Sequence, residues 1–296
     1  MPAYRRLGPM RYRQGFMVIP DGLGQAVLVP SPSCGMADLA DPYEACEAAR
    51  RELACGGGWE DRWEASWRRD GAVAACRVSG MGQVLAGGCQ PWRHFTWRAG
   101  QRHRPGLQFL VSTGRHHGFE SLEEQRFLLA LDFAGGVTDV VSQPFRLRAE
   151  TTAGWREHIP DFLAVTRSGA HLVDVRPRAL IRDEDRVLFA AAAEAALAAG
   201  WRYSVICGWR PHVMATLDML SSQRRPLADP LGLAPQLLAA AGAGPLVFDD
   251  LAGATSCPAV ARAHALHLIW HRRLGIDLAG PLTGQAMVWL AGRKGA

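Results

Sequence analysis

The chain has 296 residues and a formal net charge of +5, and Lys294 is the single lysine among its 33 cationic side chains. Its 48% hydrophobic and 21% charged residues are typical of a globular protein and exclude a disordered chain. No apolar run reaches the roughly 20 residues of a membrane-spanning helix. The N-terminal residues lack a signal-peptide pattern, and the seven cysteines include no C-x-x-C pair. We therefore expect a cytoplasmic protein with reduced thiols, no membrane partner and about two domains.

Residues 1–90 form an N-terminal extension of unknown role with two predicted helices. Asp41 is the expected N-cap of the first helix. The second is predicted from Trp59, Trp63 and Trp67, whose spacing of four places the three rings on one helix face. Such a stripe packs into a core more often than it stacks on nucleic acid bases.

Residues 91–106 interleave four arginines with three aromatic side chains. Arginine beside aromatic rings suits phosphate contact and base stacking. The same composition also suits a solvated loop that covers apolar surface, and both interpretations stay open. The arginines considered for DNA binding are Arg93, Arg98, Arg102 and Arg104.

An α/β pattern follows, and we assign residues 91–225 to a catalytic domain. Apolar periodicity predicts the order helix, strand, strand, strand, helix, strand, which favours a mixed sheet. The predicted helices cover residues 121–131 and 190–199, and the predicted strands cover residues 137–148, 156–166, 170–176 and 201–207.

The sequence changes in character after Pro226. Helices are predicted over residues 231–241, 249–255 and 258–273, and a turn-rich hairpin follows them. Three helices and a terminal hairpin favour a winged-helix-like domain over residues 226–296.

Charged side chains lie at informative positions of the α/β pattern. Glu124 is on the first predicted helix, and Asp161 and Asp174 are on the second and third strands. If those strands pair as a hairpin, both aspartates reach the same end of the sheet, and Arg176 shares the face of Asp174. Converging carboxylates are the oxygen ligands that Mg²⁺ requires, and an ion so held can assist phosphodiester cleavage. His158 is a further candidate for contact with a phosphate.

Each of these residues also has a structural interpretation. Ser121 and Glu124 match a capping box, in which the glutamate binds the start of its own helix. Asp161 follows a proline and could be a turn residue. Asp174 and Arg176 could form an exposed charge pair on an edge strand.

The stretch from Pro91 to Cys207 resembles the TnsA family, the endonuclease subunits of heteromeric transposases. The motifs that carry the resemblance are, in order, WRHFTWRAGQRHRPG, GFESLEEQRFLLALDF, VVSQPFRLRA, HIPDFL, LVDVRP and GWRYSVICG. The resemblance implies a restriction-endonuclease-like core and Mg²⁺-dependent cleavage of double-stranded DNA at transposon ends, with Mn²⁺ able to substitute. It also implies two protein partners, a DDE-type transposase subunit that cuts the other strand and an ATP-dependent regulator of transposition.

By motif position, the resemblance makes Glu124 the helix glutamate, with Glu120 the less favoured choice, and Asp161 the main metal-binding aspartate. Asp174 and Arg176 take the acidic and lysine positions of the third strand. The family usually has lysine where Arg176 stands. Arginine can neutralise a phosphate with two hydrogen bonds, but it cannot act as a neutral base. In a chain with one lysine, this arginine can simply follow the composition.

Two alternatives remain beside the transposase endonuclease. One is a stand-alone nuclease of the same fold that acts in defence or repair. The other is a DNA-binding assembly subunit whose nuclease site has decayed, and its support in the sequence is Arg176.

Overall fold

The computed structural model describes residues 28–41, 43, 46–83, 89–93 and 105–292. Its helices are α1 (Met36–Leu39), α2 (Glu47–Arg51), α3 (Leu122–Ala134), α4 (Asp183–Ala198), α5 (Val213–Ser221), α6 (Leu233–Ala243), α7 (Phe248–Gly253) and α8 (Pro258–Trp270). Its strands are β1 (Glu64–Arg69), β2 (Ala72–Arg77), β3 (Gly106–Leu110), β4 (Arg115–Phe119), β5 (Val137–Ser142), β6 (Arg146–Thr151), β7 (Gly154–His158), β8 (Phe162–Thr166), β9 (Gly169–Val175), β10 (Arg202–Ile206), β11 (Leu246–Val247), β12 (Leu274–Ile276) and β13 (Met287–Leu290). Within these ranges, no helix is long and apolar enough to cross a bilayer.

The central sheet has the strand order β10-β9-β8-β5. β10 runs parallel to β9, and the other pairs are antiparallel. Successive residues of a strand point to opposite faces, so Val173 packs with Phe127 of α3, whereas Leu172 packs with Ala192 of α4. Helices thus cover both faces, and the α/β class and mixed sheet predicted from the sequence are confirmed.

A second sheet has the order β2-β1-β6-β7. Its β6–β7 hairpin lies between β5 and β8 in the sequence. The predictions of single strands over residues 137–148 and 156–166 are therefore wrong. The first breaks at Gln143, whose φ of 48° is left-handed, before a proline. The second breaks before β8, where Pro160 has no N–H to continue a ladder.

The predicted helix through Trp59, Trp63 and Trp67 is also wrong. A short 3₁₀ turn covers Trp59–Asp61, and the chain then enters β1. Trp63 and Trp67 are both in the core. Ala65 and Trp67 lie two residues apart on one face of β1, and β1 pairs with β6, so non-local strand pairing overrides the helical spacing.

The last part of the chain packs against the first α/β helix. Helices α6, α7 and α8 accompany a small sheet of order β11-β13-β12. Phe133 of α3 shares one core with Leu268 of α8. The Arg272 guanidinium donates to the carbonyls of Phe133 and Cys34, with distances of 2.7 and 2.9 Å from Nη2. Core packing and hydrogen bonds thus connect residues on both sides of the predicted boundary near residue 225.

Candidate functional site

Two carboxylates lie side by side where β8 begins and β9 ends. Phe162 pairs with Val173 in this antiparallel pair, and the same register continued by one residue sets Asp161 opposite Asp174. Side chains directly opposite each other have Cβ atoms about 4.5–5.5 Å apart. The structure thus brings together the two aspartates to which the sequence assigns a metal.

Asp161 is held by the strands on either side of it. Its carbonyl oxygen accepts from the Gln143 N–H at 2.7 Å, and its Oδ2 accepts from the Val175 N–H, also at 2.7 Å. Burial and the nearby charges of Asp174 and Glu124 raise the pKa of the Asp161 carboxyl well above its usual value. The site therefore concentrates negative charge that a bound cation would neutralise.

Glu124 forms part of the α3 start. The Ser121 side chain caps the helix by accepting from the Glu124 N–H at 3.2 Å. In return, Glu124 accepts from the Glu120 N–H at 2.7 Å and from the Ser121 hydroxyl at 2.9 Å. Burial, followed by the charge of Glu120, raises the pKa of the Glu124 carboxyl. Glu124 thus caps α3, and its charge also lies close enough to Asp161 to help raise the pKa of that carboxyl.

Asp174 is buried and binds two side chains from other strands. Nε2 of His158 lies 3.0 Å from both carboxylate oxygens, and the Tyr203 hydroxyl donates to Oδ2 at 2.6 Å. His158, considered from the sequence for contact with phosphate, therefore contacts the carboxylate. Sequence reasoning missed Tyr203, because its contact depends on the parallel pairing of β9 and β10.

Arg176 follows the last residue of β9, and its backbone N–H continues the pairing with Ile206. Its guanidinium donates through Nε to the Leu180 carbonyl at 3.3 Å and lies 3.5 Å from an Asp185 oxygen through Nη2. The side chain is thus held at the start of α4, with part of its surface exposed.

Gln143 connects Asp161 to the beginning of the arginine-rich stretch, and sequence reasoning missed it. Its carbonyl accepts from the Trp92 N–H at 3.0 Å, and its side-chain oxygen accepts from the Arg93 N–H at 3.1 Å. The Arg93 guanidinium also lies 3.7 Å from an oxygen of Glu120. The cue in the sequence was Pro144 after it, because a proline has no N–H to continue a ladder and favours a break in a strand. The other proposed DNA contacts, Arg98, Arg102 and Arg104, lie outside the described residues.

The donor set at Asp161 and Asp174 fits a small divalent ion. In the part of the chain that the structure describes, no three acidic, histidine or cysteine side chains form a group that could hold a metal. Mg²⁺, however, often binds through one or two carboxylates and completes its shell with water and phosphate oxygens. Two adjacent aspartates, with Glu124 nearby, supply hard oxygen donors of this kind.

Comparison with known proteins adds no assignment. The sequence matches no protein-family model and no curated protein.

Charged side chains of both signs surround the site. The carboxylates lie at one end of the central sheet. The guanidinium groups of Arg93 and Arg176 lie nearby, next to Glu120 and Asp185 respectively. Paired carboxylates with guanidinium groups nearby can hold a cation and stabilise charge on an anion beside it.

Proposed function

We propose that this protein is a metal-dependent DNA endonuclease with a restriction-endonuclease-like core, and that it acts as the TnsA-like subunit of a heteromeric transposase. The observation that carries the proposal is the placement of Asp161 opposite Asp174 at the end of the central sheet. The order α3, β5, β8, β9, α4, β10, with the β6–β7 hairpin inserted between β5 and β8, supports it, because it brings the glutamate of α3 close to the two strand aspartates to which the resemblance assigns the metal.

The chain's own side chains divide the work in this proposal. Asp161 and Asp174 would hold Mg²⁺ or Mn²⁺, and Glu124 would orient ligands beside them. When bound, the ion supplies Lewis acidity toward the scissile phosphate and the attacking water. Arg176 would neutralise phosphate charge, since an arginine stays protonated and cannot remove a proton from water.

The C-terminal region suits a protein partner more than DNA in this assembly. The order α6, β11, α7, α8, β12, β13 supports the winged-helix-like domain expected from the sequence. Residues 226–296 carry four arginines, one lysine and four aspartates, a net charge of only +1. On α8, Arg262 binds Asp249 at 2.7 Å. Because DNA affinity depends on cations that replace counterions, we assign this region to contact with the transposase subunit.

A catalytically decayed DNA-binding subunit is the second candidate. The observation that favours it is Arg176, which stands at the lysine position and binds Leu180 and Asp185. In this case, the carboxylates would persist as a structural site, and the protein would bind transposon ends without cutting them.

A nicking assay on a supercoiled plasmid that carries transposon ends tests both candidates. The parent protein and the variants Asp161→Ala and Arg176→Lys are compared with Mg²⁺ or Mn²⁺ and the transposase partner. Asp183→Ala is the matched control, since that aspartate is fully exposed at the start of α4. We expect nicking by the parent and the control, loss in Asp161→Ala, and faster nicking by Arg176→Lys. Equal nicking by the parent and Asp161→Ala would contradict catalysis at this site, and binding of transposon ends without nicking would favour the second candidate.

A further inference from the structure

The two oxygens of the Asp174 carboxylate are used unequally. Oδ2 accepts from the Tyr203 hydroxyl at 2.6 Å and lies 3.0 Å from His158 Nε2, which is equally distant from Oδ1. Each carboxylate oxygen can accept about two hydrogen bonds. Oδ2 is therefore saturated by these two side chains, whereas Oδ1 keeps a lone pair for another ligand.

Tyr203 is fixed by the fold in the position from which it makes this contact. It lies on β10 opposite Leu172 of β9, so its side chain shares the sheet face of Leu172 and Asp174. From this face its hydroxyl reaches Oδ2 of Asp174, and because a carboxylate oxygen only accepts, the hydroxyl is the donor.

We propose that Tyr203 is a positioning residue of the candidate metal site, which binds Asp174 Oδ2 and leaves Oδ1 free to bind the metal beside Asp161. This inference rests on the proposed function. Carboxylates that bind metals are commonly oriented by hydrogen bonds from residues behind them, and loss of such a partner typically costs about 10–100-fold in metal affinity.

Removal of the hydroxyl tests the role with little change in shape. In Tyr203→Phe, Asp174 keeps its contact with His158 but loses the donor that fixes Oδ2, so the carboxylate can rotate. Tyr43→Phe is the matched control, because it also removes a tyrosine hydroxyl, one that is hydrogen-bonded to Arg186 and not to Asp174. Asp161→Ala removes the proposed ligand itself.

Binding of Mn²⁺ to the full chain, followed by electron paramagnetic resonance of the free ion, gives a readout that does not require cleavage. We expect Tyr203→Phe to weaken Mn²⁺ binding about 10–100-fold, Tyr43→Phe to bind as the parent does, and Asp161→Ala to lose the site. If Asp161→Ala loses the site while Tyr203→Phe binds Mn²⁺ as tightly as the parent, the positioning role is refuted and the metal site stands. Binding that is indifferent to Asp161 refutes the metal site, and the positioning role with it.

The Mn²⁺ dependence of nicking separates positioning from a purely structural role. For Tyr203→Phe, we expect the half-saturating Mn²⁺ concentration to rise about 10–100-fold, while the rate at saturating Mn²⁺ stays near that of the parent. A lower rate at every Mn²⁺ concentration, together with a lower melting temperature, would assign Tyr203 to structure and refute the proposal.

Discussion

His171 links the stability of the fold to pH. Its Nε2 lies 2.8 Å from the Ser204 hydroxyl oxygen on the neighbouring strand. Burial, followed by the charge of Arg202, lowers the pKa of His171 from 6.5 to about 4. The folded protein thus favours the neutral ring, whereas the unfolded chain takes up a proton near pH 6.5.

The sign and size of the effect follow from these two pKa values. A lowered folded-state pKa means that the unfolded chain binds more protons between pH 6.5 and pH 4, so the contribution to stability is present above this range and is lost as the pH falls. For a shift from 6.5 to about 4, the loss between pH 7 and pH 5 is about 2 kcal/mol. This value is an upper limit, because His171 is only partly buried and solvent reduces the effect.

The variant His171→Gln isolates the pH-dependent contribution of His171 to stability, because glutamine can still form a hydrogen bond with Ser204 but does not titrate between pH 5 and pH 7. Urea unfolding at pH 7 and pH 5, followed by tryptophan fluorescence, gives the free energy of unfolding of parent and variant. Between pH 7 and pH 5, we expect the parent to lose about 2 kcal/mol more free energy of unfolding than the variant loses. His116→Gln, at an exposed position of β4, is the control. A difference that is the same at both pH values would refute the reasoning.

Three further predictions concern the site and its surroundings. Burial and neighbouring carboxylates raise the folded-state pKa of Asp161, so the contribution of this carboxyl to stability is lost as the pH rises through that pKa. Without metal, Asp161→Asn should therefore have a higher melting temperature than the parent at pH 8, and a smaller increase at pH 5. A higher melting temperature for the parent at pH 8 would contradict this reasoning. Ser121→Ala removes the cap of α3 and a donor to Glu124, and urea unfolding should show a loss of about 1 kcal/mol; no measurable loss would exclude a capping role. Arg93 is a DNA-binding candidate with an exposed guanidinium, and Arg93→Ala should reduce the salt dependence of DNA affinity by about one unit of slope; an unchanged slope would exclude a phosphate contact.

Local signals predicted the elements that surround the site. Ser121 and the apolar periodicity after it predict α3, and the structure has the N-cap at that serine. The apolar run before Asp174 predicts β9, and the structure sets Asp161 opposite Asp174 as a hairpin requires. These features depend on residues close in sequence, where periodicity and capping chemistry decide the conformation.

The parts that the sequence did not reveal depend on distant residues. Tyr203 is 29 positions from Asp174, and only the parallel pairing of β9 with β10 brings them together. Trp67 has helical spacing from Trp63, yet β1 is a strand because it pairs with β6. Nothing in residues 137–148 identifies which sheet each half joins, since that depends on the second sheet as a whole.

The β6–β7 hairpin has a consequence for synthesis of the protein. It brings His158 from the second sheet to Asp174 of the first, while Tyr203 comes from β10, the last strand of the central sheet along the chain. A nascent chain that ends before β10 therefore lacks one of the two side chains that bind this carboxylate. If the site cuts DNA, it would be complete only after most of the chain has left the ribosome.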